Sequence, residues 1–319
     1  MYWSEAATHG QTPQPVRSHT CTLVGSKLFF FGGSDLEDNF AGLEIFDTET
    51  LFWFKPETRG EDLAPHKCHS ATLVGDNLFI FGGGDGPTYF DTLYMLNTKT
   101  MTWSQPKTEG KAPGPRRAHT ATLVDKRIFI FGGGDGKKAL NEIFVLDADT
   151  MTWSEFEATP ATKKDSVPGP RGFHTATLVA KDKILIFGGS DGNECFSDVF
   201  ILDTTTKQWF EKTIVNPFPR LAHTQTLVGP MLFVFGGHDG CDYTNELNVL
   251  NIENMEWVKM TTRGTPPSPR GYHTAALHDS RLFLFGGMDH EKCFNELYIL
   301  DLATLASLPF YDPVLSSEK

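Results

Sequence analysis

Leu78-Phe79-Ile80-Phe81-Gly82-Gly83 runs four apolar residues into a double glycine. The phrase occurs six times in 319 residues, the other copies lying at 28–33, 128–133, 184–189, 232–237 and 282–287. Its first glycines stand at 32, 82, 132, 188, 236 and 286, in steps of 50, 50, 56, 48 and 50. A period near fifty, held from end to end, marks an array of equivalent units rather than one irregular domain.

Each unit reads alike. It opens on a Pro-rich basic turn, as in Pro113-Gly114-Pro115-Arg116-Arg117-Ala118-His119. Short β-type runs follow at 120–124, 128–131 and 143–147, split by Asp125-Lys126-Arg127 and by a loop containing Asp135-Gly136, and a fourth run carries Trp153. Runs this short, separated by turn residues and lacking a 3.6-residue period, are strands. Four successive antiparallel strands make one propeller blade, so the chain is expected to be all-β, a six-bladed ring of four-stranded blades. The second run is apolar throughout rather than alternating, as a strand covered on both faces is. Its glycines then mark close backbone approach. They are not a phosphate cradle, since no Lys-Ser/Thr follows and no helix begins there.

The six tryptophans speak to closure. Trp53, Trp103, Trp153, Trp209 and Trp257 occupy the fourth-strand slot, and Trp3 precedes His19 by 16 residues just as Trp53 precedes His69. Repeats therefore run near 15–57, 65–107, 115–157, 170–213, 219–261 and 269–308, with residues 1–5 supplying the outer strand of the last blade. In a second arrangement Leu305-Ala306-Ser307-Leu308 fills that slot and Trp3 caps it from outside. The whole of 1–319 is expected to form one domain.

Composition narrows the function. A net charge of −12 and a pI near 5.3 argue against a nucleic-acid partner, which would want a basic face. Five cysteines, an odd number with no close pair, do not form a disulfide framework. Met1-Tyr2-Trp3-Ser4-Glu5 lacks the basic and apolar regions of a signal peptide, and no apolar run approaches 18 residues. A protein of the reducing cytoplasm is expected, reaching the nucleus or cell cortex through a partner, without membrane insertion.

The Arg-x-x-His opening, the apolar Gly-Gly strand, the Asp-Gly loop and the fourth-strand Trp recur together, and in this the chain resembles the kelch-repeat proteins over roughly residues 1–310. The resemblance implies a six-bladed propeller. Proteins similar in repeat style include fungal cell-polarity markers, Rab-type trafficking effectors and adaptors of ubiquitin ligases. There are departures. The second unit reads Pro65-His66-Lys67-Cys68-His69, the first Val16-Arg17-Ser18-His19 with its arginine one place late, and the loop over 154–172 is five residues longer than its counterparts.

Six histidines, His19, His69, His119, His174, His223 and His273, share one slot and are expected to bond blade to blade. A fourfold metal shell cannot be assembled from sites one blade apart, and His238 and His290, in equivalent loops of adjacent blades, lack a matching carboxylate pattern. No cofactor is expected. Arg17, Lys67, Arg116, Arg171, Arg220 and Arg270 are placed on one rim. The loops after the glycines share it, with Asp35, Glu37, Asp38, Asp85, Asp135, Asp191, Asp239, Asp242 and Asp289, and with Phe40, Tyr89, Phe90, Cys195, Phe196, Tyr243 and Phe294. Cations, acids and exposed aromatics together compose a recognition surface. Tyr89, Phe196, Tyr243 and Phe294 are the aromatic candidates for contact with a protein or peptide partner. Equally, each arginine could pair with a loop aspartate to tie neighbouring blades. Arginines at this opening line the peptide-binding face of kelch ubiquitin-ligase adaptors, so the resemblance favours a non-catalytic interaction module. The alternative is an iron-dependent lyase similar to the plant specifier proteins, although their Glu-x3-Asp-x3-His triplet is missing from this sequence.

Overall fold

A computed structural model describes residues 1–258 and 260–303. It is a ring of six sheets with no α-helix among the described residues. Blade 3 shows the plan. Thr120–Val124, Arg127–Phe131, Ile143–Asp147 and Thr152–Glu155 pair antiparallel in chain order from the axis outward. Five of the six sheets also carry a short outermost strand, which runs parallel to the fourth. In blade 2 that strand is Arg59–Gly60, which leaves blade 1 and lies against Thr102–Ser104 of the next blade. The four-stranded blade expected from the sequence is thus widened by a strap from its predecessor. Blade 5 (Thr224–Val228, Met231–Phe235, Leu247–Asn251, Glu256–Val258) has no such strap among the described residues. It follows the 48-residue step, and Phe218 of the shortened link packs instead on Trp257, with ring centroids 4.6 Å apart.

The apolar second strand divides its side chains between two neighbours. From Lys27–Phe31, Leu28 and Phe30 join a cluster with blade 6, whereas Phe29 and Phe31 join a cluster with blade 2. Six such clusters fill the six gaps between blades. Hydrophobic burial, worth roughly 25 cal/mol per Å2 of apolar surface, therefore stabilises the ring as a whole, since a lone blade would expose both faces. The double glycine lies where blades touch. A Cβ on Gly82 would stand 2.7 Å from the Arg116 carbonyl oxygen of the next blade, and the Gly83 amide donates to that same oxygen at 2.8 Å.

Tyr2–Glu5 pairs antiparallel with Leu297–Asp301, with Trp3 opposite Leu300. Trp53, Trp103, Trp153, Trp209 and Trp257 face Phe46, Leu96, Leu146, Leu202 and Leu250 in the same register. Trp3 thus sits in the fourth-strand slot of blade 6, and Leu305 to Leu308 lie outside the described residues.

Candidate binding face

At the axis each blade presents one residue with a left-handed backbone: Ser18, Cys68, Ala118, Phe173, Ala222 and Tyr272, with φ between 53° and 58°. Side chains adopt this conformation at a cost of roughly 1–2 kcal/mol, and here it is held by a closed circuit of backbone hydrogen bonds. The Cys68 amide donates to the Ser18 carbonyl, Ala118 to Cys68, Phe173 to Ala118, Ala222 to Phe173, Tyr272 to Ala222 and Ser18 to Tyr272, all at 2.9–3.0 Å. One layer along the axis the six histidines form a second circuit. Each Nε2 bonds the hydroxyl of a Thr or Ser in the preceding blade, as His69 does Thr20 and His119 does Ser70. Burial lowers the pKa of His19, His119 and His223 to about 3 and holds His69, His174 and His273 well below 6.5, so all six are neutral. These histidines are structural ties between blades.

The opening arginines separate into two slots. Arg116, Arg171, Arg220 and Arg270, three residues before their histidines, are 1–4% exposed and lie inside their blades. Arg171 donates through Nη1 and Nη2 to Asp198 at 2.5 and 2.9 Å and through Nη1 to the Gly188 carbonyl at 2.9 Å, with its guanidinium 4.5 Å above the Phe196 ring. Arg116, Arg220 and Arg270 pair likewise with Glu142, Glu246 and Glu296. The solvent-facing placement expected for these four is corrected, since an arginine with this many internal partners is sequestered from solvent. Phe294 is buried beneath Arg270 at 3.9 Å. The loop aspartates are not the arginines' partners either. Asp135 accepts the amides of Lys137 and Lys138, and Asp191, Asp239 and Asp289 cap their own loops in the same way.

Arg17 and Lys67 fall in the other slot, two residues before the histidine, where blade 3 has Arg117. These residues bridge to Ser34, Gly84 and Gly134 beside the axis, half-exposed at the channel mouth. Blades 4 to 6 place Gly172, Leu221 and Gly271 there. At this slot the mouth is therefore two-sided, with three cations on adjacent blades and Gly172, Leu221 and Gly271 on the other three. The Lys67 pKa is lowered by burial and by repulsion from Arg17 and Arg117. On the far side Phe173 and Tyr272 meet edge to face at 5.3 Å, and Tyr243 lies 6.5 Å from Tyr272. Burial, with Tyr243 adding to it, pushes the Tyr272 phenol up to about 12. Between the halves lies a cavity of about 430 Å3 whose lining includes Tyr89, Arg117, Lys137, Lys138, Phe173 and Tyr272, with Asp191 as its one carboxylate among the described residues. The Arg117 guanidinium stacks 4.6 Å above the Tyr89 ring.

Of the residues singled out in the sequence, Arg17, Lys67, Tyr89 and Tyr243 come together at the mouth, whereas Phe196 serves as the platform under Arg171. Arg117, Phe173 and Tyr272 were missed, although counting back from each histidine separates the two arginine slots. Glu142, Asp198, Glu246 and Glu296 were missed as well, and their signal is an Asn-Glu or Ser-Asp pair just ahead of the third strand. Among the described residues no group of three or more His, Cys, Asp or Glu side chains is arranged to hold a metal ion, and no helix is long and apolar enough to cross a membrane.

The family described as the KLHDC2/KLHL20/DRC7 Kelch-repeats domain matches this sequence over residues 1–166, 37–229 and 157–307. The chain belongs to the kelch-repeat family. Parts of this kelch ring are similar to longer proteins. A probable serine/threonine-protein kinase of Dictyostelium discoideum is 36% identical over 84 residues, 25% of this chain and 6% of that protein. The Rab9 effector protein with kelch motifs of Xenopus laevis is 36% identical over 81 residues, 24% of this chain and 22% of that protein. Host cell factor 1 of Homo sapiens is 36% identical over 78 residues, 22% of this chain and 4% of that protein. The matches thus span less than a quarter of each relative's own length.

Proposed function

We propose that this kelch propeller is a non-catalytic protein-interaction module that holds an anionic segment of a partner protein at the channel mouth. The observation that carries the reading is the cluster Arg17, Lys67 and Arg117 on three adjacent blades. In a chain of net charge −12, three cations kept close enough to repel one another form a local site for carboxylate groups. The opposing Phe173 and Tyr272 supply the apolar half that a peptide side chain would pack against. The likeness to a Rab9 effector and to a host cell factor supports a protein partner. A cytoplasmic adaptor in trafficking, cell polarity or ubiquitin ligation is the setting this reading favours.

Panning a random-peptide display library on the purified protein tests it. Acidic sequences should be enriched on the wild type. Their binding should weaken with salt, fall at least tenfold in Lys67→Glu/Arg117→Glu, and persist in Lys99→Glu, an exposed lysine of the hairpin turn over 98–101 that pairs with Asp76. Enrichment without acidic bias, or binding indifferent to the charge reversal, refutes the assignment.

A further inference from the structure

In every blade the residue three before the histidine makes the same backbone bond. Its amide donates to the preceding blade, as Arg116 does to Phe90, Arg171 to Leu140 and Val16 to Phe294. The side chains at this slot fill a socket. In blades 3, 4 and 6 the arginine donates to the carbonyl two residues before it (Gly114, Gly169, Ser268) and to that of the first glycine (Gly132, Gly188, Gly286). It also pairs with a carboxylate and lies over an aromatic ring. Arg220 of blade 5 keeps the ion pair, with Glu246, and packs over Phe218. Blade 2 fills the socket with His66, which is buried, bonds the Ala64 carbonyl and packs against Phe90 and Tyr94.

Blade 1 has Val16 in this slot and Gly42 at the position of Glu142, so both the cation and its carboxylate partner are missing. The space is open. A cavity of about 680 Å3 at the junction of blades 1 and 6 is lined by Gln14, Val16, Gly32, Phe40, Gly42 and Glu44 among others. Gln14 and Gly32 stand where the other blades offer their carbonyls. Phe40 stands where Phe196 and Phe294 lie under their arginines, each of the three donating its amide to the second glycine. Glu44, opposite Phe30, takes the register of Phe144, Phe200 and Tyr298, so a carboxylate replaces a ring on the cavity wall. Lys55, an exposed side chain, has its Nζ 3.8 Å from the Glu44 carboxylate.

We infer that the blade-1 socket binds an arginine side chain of a partner polypeptide, supplied in trans where the other blades supply their own. The fold itself shows which group these surroundings accept, because four sister sockets already hold a guanidinium. A planar fork satisfies two carbonyls, a carboxylate and a ring face together, and an ammonium cannot. The volume exceeds one side chain and leaves room for flanking residues, as ligand pockets of this size do. This site does not depend on the channel-mouth reading, because it is built from other residues and takes a cation rather than an anion.

Nuclear magnetic resonance titration with three probes tests the inference: capped Gly-Arg-Gly, capped Gly-Lys-Gly, and agmatine. The arginine tripeptide should bind at least tenfold more tightly than either other probe. Val16→Arg/Gly42→Glu should rebuild the missing internal pair and abolish binding while the melting temperature holds or rises. A side chain fits at residue 42, where a Cβ would meet nothing within 4 Å. Glu44→Gln should weaken binding about tenfold, as loss of a charge-assisted bond does, and it decides the matter should the double variant fail to fold. Equal binding of the lysine peptide, or binding retained in either variant, overturns the guanidinium assignment. Agmatine binding as tightly as the tripeptide overturns the polypeptide occupant.

Discussion

His19 Nε2 lies 2.8 Å from the Thr274 hydroxyl, a bond between residues 255 positions apart. It is the link that joins the last blade to the first in the histidine circuit, and its chemistry is that of the other five. An imidazole placed there must stay neutral, because protonation would put a charge in the packed axis of the ring.

Acid should therefore loosen the ring in a defined window. The six histidines titrate near 6.5 when unfolded, whereas burial holds three near 3 and the others well below 6.5 when folded. Below pH 6.5 the unfolded chain binds protons that the folded ring refuses, so stability falls as pH falls. Each histidine contributes a slope of up to about 1.4 kcal/mol per pH unit. Depressed carboxylates such as Asp47, lowered to about 2 by Lys27, act below pH 4 and leave pH 5–6.5 to the histidines. Urea midpoints measured from pH 7 to 5 should drop steeply, and His119→Gln should make the drop shallower. A flat profile would contradict neutral burial.

Glycine substitutions should sort by what they meet rather than by backbone angle. Gly236 and Gly75 have φ of +64° and +60°. A Cβ on Gly236 would stand 2.7 Å from the Arg270 carbonyl and 2.8 Å from the His273 ring, whereas one on Gly75 meets nothing within 4 Å. Gly75→Ala should cost about 1 kcal/mol, the left-handed penalty alone. Gly236→Ala should cost more than about 3 kcal/mol, because the blade gap must open. Chemical denaturation of the pair reads the difference, and equal costs would refute the contact argument.

The buried arginines should behave as structure. Arg171→Glu sets a carboxylate against Asp198 inside the blade, and removing one partner of a buried pair costs roughly 3–5 kcal/mol even without the added repulsion. Arg171→Glu/Arg220→Glu is expected to be insoluble or to lose its cooperative melting transition, whereas Lys67→Glu melts as the wild type does. A folded double variant would show that the internal ion pairs contribute little.

Much of this was legible in the sequence. The Gly-Gly period and the spacing of Trp3 to His19 gave the blade count and the place of the first strand, because those residues meet the same neighbours in every unit. The two arginine slots were not separated. Arg116 and Arg117 are adjacent, and only the backbone path, which turns one toward the blade interior and the other toward the axis, tells them apart. The vacancy beside Val16 was hidden for a related reason. It depends on Gly42, a residue 26 positions away that carries no signal until Glu142, Asp198, Glu246 and Glu296 are seen to be partners. Phe173 and Tyr272 meet across the axis from blades 99 residues apart in sequence, and repeat spacing gives no hint of such a pair.

The pairing of Tyr2–Glu5 with Leu297–Asp301 also has a mechanical side. Tyr2 is opposite Asp301 and Glu5 opposite Tyr298, so tension applied at Met1 and Ala303 acts on the same end of this antiparallel pair. The bonds are then met one at a time, in a peeling geometry, together with the short parallel contact of Tyr2 and Trp3 with Arg263 and Gly264. Force drawn through handles at those two residues should release the first strand and its Trp3 at low tension, in a discrete step ahead of the other blades, as optical tweezers would resolve. Tension between blades 2 and 5 has no such seam to follow. A ring tied on every gap by hydrogen bonds and apolar packing can still be opened from one place.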